Sequence, residues 1–219
     1  MKTESQSKVR IVYSSLDVKS WVLSLPSAAT ERPAACPCCQ AAGAPVGERV
    51  TLQGHGLRYR PQTGLDVVDG EPFDDEVPVR RYRCLLCRAV VVVMPAGLLP
   101  RLRYRPVAVV LALALWVLGP GLASAAVRRR VSSTRTVAHE ASRGWPSLWR
   151  WARQAWDWWG LRRPSSGYST GQGGVETLLQ RLAARARDGT GELVASAVKA
   201  AAQFNGHGVW ETQEAVPTS

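Results

Sequence analysis

Two C-x2-C pairs constrain this chain more than anything else in it. Cys36-Pro37-Cys38-Cys39 holds the first and Cys84-Leu85-Leu86-Cys87 the second. Two such knuckles supply four thiolates, the donor set of a tetrahedral structural zinc site. The tight turn within each pair directs backbone N–H groups at sulfur, which favours the deprotonated ligand. The expectation is one Zn2+ held by Cys36, Cys39, Cys84 and Cys87. Cys38 is spare and can exchange with a neighbour as ligand. His55 is a weaker substitute, because Gly54-His55-Gly56 reads as a turn. Two blander readings compete: incidental buried cysteines, or a thioredoxin-like redox pair. A redox pair requires C-x2-C to open a helix after a strand, whereas Cys87 is soon followed by a β-branched run. The 44 residues between the knuckles exceed the usual spacing of about 15–20, but they can hold a hairpin with a long loop.

The cysteine count is odd, and MKTESQSKVR is polar and lacks the apolar core of a signal peptide. A secreted disulfide framework is therefore not expected, and a reducing cytoplasm is.

Strands flank the knuckles. Val9–Ser14 is β-prone, and Ser15 can cap a helix over Leu16–Leu25 with Val18, Trp21, Val22 and Leu25 inward. Val50–Arg60 reads as a strand interrupted by Gly54 and Gly56. Residues 61–76, with six acidic side chains, read as a solvated loop. Val77–Tyr82 is a strand in which Pro78 suits only the start or a sheet edge. Arg88–Met94 is a buried strand. This is the skeleton of a zinc ribbon.

The second half reads as helical. Pro106 suits a first turn, Val107–Leu118 is apolar all round, and Gly119-Pro120-Gly121 ends it. Leu122–Val131 is a second helix, with Arg128, Arg129 and Arg130 in its last turn. Ser132–Gly144 is polar, and Pro146 leads into a third helix over Ser147–Trp159. Val175–Arg187 and Glu192–Phe204 follow as further helices. The fold class is α+β, with an N-terminal α/β and zinc-ribbon domain at 1–99 and a basic helix-turn-helix-like domain at 100–163. A linker at 164–174, C-terminal helices at 175–204 and a disordered tail at 205–219 complete it. The chain shows no internal repeat.

Residues 107–127 carry no charge, and basic clusters flank them. A membrane span is the obvious alternative. The Gly-Pro-Gly break leaves 12 unbroken apolar residues, too few to cross, so a buried helix at the centre of a bundle is expected.

The chain has 28 Lys+Arg against 17 Asp+Glu, a net charge of +11. Residues 101–163 concentrate it, with twelve arginines against Glu140 and Asp157. Such a field points to a polyanion, nucleic acid or an anionic membrane surface. Three Arg-rich helices separated by short breaks suggest a helix-turn-helix arrangement on double-stranded DNA. Arg150 and Arg153, spaced i, i+3, fall on the third helix, and Arg162 and Arg163 lie just beyond it. With Arg101, Arg103, Arg105, Arg128, Arg129 and Arg130 they are the candidate contacts to phosphates and guanine edges. In the blander reading those arginines are only solvated. Six of nine tryptophans lie in 145–159 and belong mostly to the core.

The ordered motifs CPCC, GHGLRYR, VRRYRCLLCRAVVVVMP, LLPRLRYRP, a long apolar helix and GWPSLWRWAR resemble one bacterial group. It is the zinc-ribbon plus helix-turn-helix proteins associated with insertion sequences, transposase-like and of unknown activity. The resemblance covers about residues 9–160, and the order is more specific than any single motif. It implies a ribbon held by Cys36, Cys39, Cys84 and Cys87, followed by a DNA-binding helical domain. Cys38 departs from the usual knuckle and leaves one ligand open.

Catalysis is not expected. A transposase with three catalytic carboxylates requires a metal-binding RNase H-like domain, and residues 101–219 offer scattered acids and no strand-rich region. Arg135, His139, Arg143 and Tyr168 supply the residue types of a tyrosine recombinase, but in a domain far too small. Gly171-Gln172-Gly173-Gly174 lacks the Lys-Ser/Thr of a phosphate loop. The sequence reading is a cytoplasmic, nucleoid-associated accessory factor that recognises DNA for a transposase or recombinase and can self-associate. A stand-alone transcription regulator is the alternative, and a membrane-anchored zinc head the lesser one.

Overall fold

The computed structural model describes residues 9–119, 122–133, 145–163, 172–185 and 193–203. Over these residues it is mixed α+β, with a four-stranded sheet and six helices. The strands are β1 (Val9–Asp17), β2 (Leu52–Gly64), β3 (Phe73–Cys84) and β4 (Val90–Ala96). Their order is β1-β4-β3-β2. β1 runs parallel to β4, with Ile11 opposite Val92, while β2, β3 and β4 are antiparallel neighbours.

Helix α1 (Val18–Ser24) follows β1 directly. Its cap is Asp17 rather than Ser15: the Asp17 carboxylate accepts from Ser20 N–H at 2.8 Å and from Ser20 Oγ at 3.1 Å. β1 runs on through Ser15 because pairing with β4 extends to Asp17 opposite Ala96. Of the four apolar residues assigned to the inner face of α1, Trp21 is buried, whereas Val22 is exposed. Trp21 Nε1 donates to the Pro78 carbonyl at 2.6 Å. Pro78 is opposite Tyr59 of β2, and β3 pairs with β4 only over Arg80–Arg83. The proline thus sits where β3 has no β4 partner, in agreement with its lack of an N–H.

The solvated loop expected over 61–76 is mostly strand. β2 and β3 pair from Leu52–Cys84 to Gly64–Phe73, so only residues 65–72 form the connection. The strands continue because the hairpin tip is anchored. Thr63 N–H donates to the Arg103 carbonyl at 2.7 Å, and Arg105 N–H donates to Thr63 O at 3.0 Å. Leu65 is buried beside helix α2 (Pro106–Leu118) in a shared core. Gly64 has φ +137, and a Cβ there would lie 2.6 Å from Ala108 Cβ. Only glycine fits this approach of strand to helix.

Pro106 occupies the first turn of α2, and Pro106 to Ala114 are all buried. Helix α3 (Ser124–Val131), α4 (Pro146–Trp158), α5 (Gln172–Ala183) and α6 (Leu193–Ala202) all contact it. Its 13 residues reach about 20 Å at 1.5 Å per residue, short of the roughly 30 Å of a hydrocarbon core. Among the described residues no helix is long and apolar enough to cross a membrane. Trp145, Trp151, Trp156 and Trp159 are buried in the same core as α2, together with Val175, Leu178, Leu179, Leu182, Ala197 and Ala201. A second cluster, of Trp21, Leu52, Val77, Val79, Tyr82, Val91 and Val93, fills the sheet layer. Residues 134–144, which link α3 to α4 and carry Arg135, His139 and Arg143, lie outside the described residues. So do Tyr168 and the tail.

Candidate metal centre and basic groove

The two knuckles are copies of one turn. Cys36 N–H donates to Ala41 O at 2.8 Å, and Gln40 N–H donates to Cys36 O at 2.8 Å. In the second, Cys84 N–H donates to Ala89 O and Arg88 N–H to Cys84 O, each at 3.0 Å. The residue after each second cysteine is left-handed, Gln40 at φ 61 and Arg88 at φ 62. The first knuckle is closed by an Ala35–Ala42 bridge. The second connects β3 to β4.

The β2–β3 hairpin solves the long spacing. Its base pairs Leu52 with Cys84, Leu85 N–H donates to Thr51 O at 2.9 Å, and Leu52 N–H donates to Gly43 O at 3.0 Å. The intervening residues therefore leave and return at one point. The knuckles meet there however far the hairpin projects.

The four expected thiols come together. Cys36, Cys39, Cys84 and Cys87 place their sulfurs within 4.8 Å of one another. Cys36 to Cys87 and Cys39 to Cys84 are each 3.7 Å. A tetrahedron with Zn–S bonds of about 2.3 Å has S–S edges of about 3.8 Å. The cluster can hold a metal ion, and its donors are all sulfur. Cys36 and Cys84 are buried, while Cys39 and Cys87 face solvent. Cys38 is half-buried against the sheet core and is outside the group. Exposed His55 falls in the bulge between Gly54 and Leu57, also outside it. Neither knuckle opens a helix, so the redox-pair geometry is absent.

The protein environment tunes the sulfurs unevenly. Burial pushes the Cys84 thiol up, but N–H groups of Cys87 and Leu86 and the neighbouring thiols outweigh it and bring it to about 7. The Ala89 N–H lowers Cys87, yet burial and the three other sulfurs drive it up to about 12. Cys39 behaves similarly: the Ala41 N–H lowers it, and burial with Cys36 and Cys84 leaves it raised. Without a cation these contacts favour the thiolate at Cys84 and the thiol at Cys87 and Cys39. A divalent ion removes that conflict.

The candidate arginines divide into two sets. One is engaged by acidic groups. Arg105 meets Asp66 at 2.5 Å and Asp75 at 3.7 Å and lies 4.6 Å over the Phe73 ring. Arg103 donates to Thr63 Oγ1 at 2.9 Å and is 3.6 Å from Asp74. Arg130 is 3.9 Å from Asp69 and donates to Val68 O at 3.3 Å. Arg163 pairs with Asp157 at 2.7 Å. The acidic hairpin thus answers part of the basic block. Arg101, Arg128, Arg129, Arg150, Arg153 and Arg162 form no ion pair among the described residues. Arg128 is half-buried with its Nε unsatisfied, and Arg150 donates to Ser147 Oγ at 3.2 Å.

A solvent-open groove of about 830 Å³ runs between β1 and α4. Arg10, Arg101, Arg103 and Arg150 line it, together with Tyr104, Trp151, Gln154 and Trp158. Among the described residues no carboxylate does. Ser147, Arg150, Trp151, Gln154 and Trp158 fall on one face of α4, as their spacing requires. Arg101, at φ 57, is in the turn before α2. Arg10 was not among the sequence candidates, and neither were Arg58 and Arg60 of β2, which line an adjoining pocket. Their only sequence signal is a basic residue within a strand.

Comparison of the chain with protein-family models, with curated proteins and with solved structures finds no match.

Proposed function

We propose that the chain is a zinc-stabilised DNA-binding protein, with Zn2+ held by Cys36, Cys39, Cys84 and Cys87. The all-thiolate donor set and its two 3.7 Å sulfur–sulfur contacts favour a closed structural zinc site. The observation that carries the nucleic-acid reading is the groove between β1 and α4. Four arginines from three separate segments converge on it with aromatic rings, only Arg103 of them near an acid (Asp74, 3.6 Å), and no acid among the described residues lines it. Arginine forks suit phosphates and guanine edges, and a carboxylate-free groove keeps its field for a ligand. In this reading α4 is the recognition helix of a helix-turn-helix-like arrangement, with α2 the buried support and Arg129 and Arg153 as outlying phosphate contacts. The order of sequence motifs supports a role beside a transposase or recombinase of a mobile element.

The test is fluorescence anisotropy of the zinc-loaded protein with duplex DNA across a salt series. A steep loss of affinity with salt is expected. Arg150→Ala is expected to cost about 1–3 kcal/mol if it reads a base, and Arg101→Ala to lower the salt slope by about one. An affinity unmoved by both substitutions refutes the groove as the site. A clear preference for element-end sequence over a promoter operator separates the accessory-factor reading from the stand-alone regulator.

A further inference from the structure

The geometry points to a second binding site, a pocket for a nucleoside phosphate on the face of the sheet beside the groove. Arg58, Arg60, Arg101 and Arg103 line about 370 Å³ there, with Val9, Ile11, Val79 and Val92 as floor. That volume lies at the small end of ligand pockets. The assignment rests on the nucleic-acid reading for the class of its ligand, and its distinctive residues are those the groove does not use.

The register explains the pocket. Ile11 is opposite Val92, Val92 opposite Arg81 and Val79 opposite Arg58. One sheet face therefore presents Ile11, Val92 and Val79, with Arg81 on β3 and Arg58 at its β2 edge. The turn over Leu99–Leu102 brings Arg101 and Arg103 across from them. No carboxylate lines the pocket among the described residues.

Arg60 is the independent observation. It is half-buried, and its partners are neutral: Met94 Sδ and the carbonyls of Leu99 and Leu102, the last at 2.7 Å. Three of a guanidinium's five N–H groups are used, which leaves two without a partner among the described residues. Burial holds this guanidinium below its usual range, as expected for a cation that no acid offsets. Buried charges are ordinarily paired, and an anionic ligand here supplies the missing pair.

The floor selects the kind of anion. A bare oxyanion satisfies arginines but covers none of the aliphatic surface. A nucleoside phosphate does both, with its base over Val9, Ile11 and Val92 and its phosphate toward Arg58 and Arg60. Guanidinium planes also stack on bases. The phosphate has two sources, a free nucleotide or the end of a nucleic-acid strand.

The experiment is titration calorimetry of the zinc-loaded full chain with deoxyadenosine monophosphate, deoxyadenosine and inorganic phosphate. Binding of the nucleotide is expected, at least tenfold tighter than either component. Exposed Arg58 lines this pocket and not the groove, so Arg58→Glu is expected to weaken nucleotide binding tenfold or more. Arg150→Ala is expected to leave it within twofold. Displacement by a 5′-phosphorylated trinucleotide, and not by its unphosphorylated form, assigns the site to strand ends. Displacement by neither assigns it to free nucleotides. Equal affinity for nucleoside and nucleotide, or no effect of Arg58→Glu, overturns the proposal. Duplex binding with no nucleotide binding removes this site and leaves the groove standing, and the converse removes the groove alone.

Discussion

Gly64→Ala tests the junction on which the two layers of the fold depend. The backbone there has φ +137, and the new Cβ would meet Ala108 Cβ at 2.6 Å and Arg105 Cβ at 3.6 Å. The contact with Ala108 joins strand to helix backbone, so no side-chain rotation relieves it. Holding an L-residue in such a conformation costs about 1–3 kcal/mol. Forcing a methyl into a packed contact adds about 1–3 kcal/mol. The expected loss is about 2–6 kcal/mol, a large share of the roughly 5–15 kcal/mol of a typical domain. Gly56→Ala is the matched control: φ is +81, but the space around it is open, so only the backbone cost of about 1–2 kcal/mol applies. Urea unfolding of the zinc-loaded protein, followed by tryptophan fluorescence, measures both. Ala108→Gly in the Gly64→Ala background isolates the steric part, with an expected coupling of about 1–3 kcal/mol in a double-mutant cycle. Equal losses at Gly64 and Gly56, or zero coupling to Ala108, refute the argument that the hairpin tip is wedged on α2.

Three further outcomes are expected. Cys84→Ser should reduce bound zinc from about one ion per chain to well below it, as read by atomic emission, and full retention refutes the four-sulfur site. In the metal-free protein, Cys84 has its thiol lowered to about 7 from the usual value near 8.5. The stability it contributes is present above the ordinary thiol range and lost as pH falls through about 7. Thermal melts should therefore drop between about pH 9 and 6 without metal, and more steeply with it, because unfolding then returns protons to all four ligand sulfurs; a level profile in either form contradicts this. Trp21→Phe leaves the Pro78 carbonyl without its indole partner and should cost about 1–3 kcal/mol in urea unfolding. A loss within 0.5 kcal/mol of zero, on the order of a neutral surface change, contradicts a structural role for that bond.

The elements legible in the sequence were those with local causes. The C-x2-C spacing announced the knuckles because a thiolate pair on one turn needs only four residues. Pro106 and Pro146 marked two helix starts, since a missing N–H is harmless in the first turn. The all-apolar Val107–Leu118 implied complete burial, and α2 is buried over Pro106–Ala114. The hairpin tip was missed for a related reason. Pro61, Gly64 and six acids look like a loop, and only anchoring of Thr63 to the Arg103–Arg105 backbone makes them strand.

Tertiary structure alone decided the electrostatics. Arg105 pairs with Asp66, 39 residues away, and no local period encodes that. The basic block looked like one uninterrupted field, but the hairpin aspartates engage Arg103, Arg105 and Arg130. The positive surface left over was assembled from elsewhere: Arg10 enters from β1, Arg101 from a turn, and Arg58 and Arg60 from β2. The sequence determined which residues could ligate a metal and which helices would be buried, because spacing and apolar periodicity act over one or two turns. Which arginines face a ligand depends on chain segments that meet only after the sheet pairs and α2 docks, and charge acts through that space rather than along the chain.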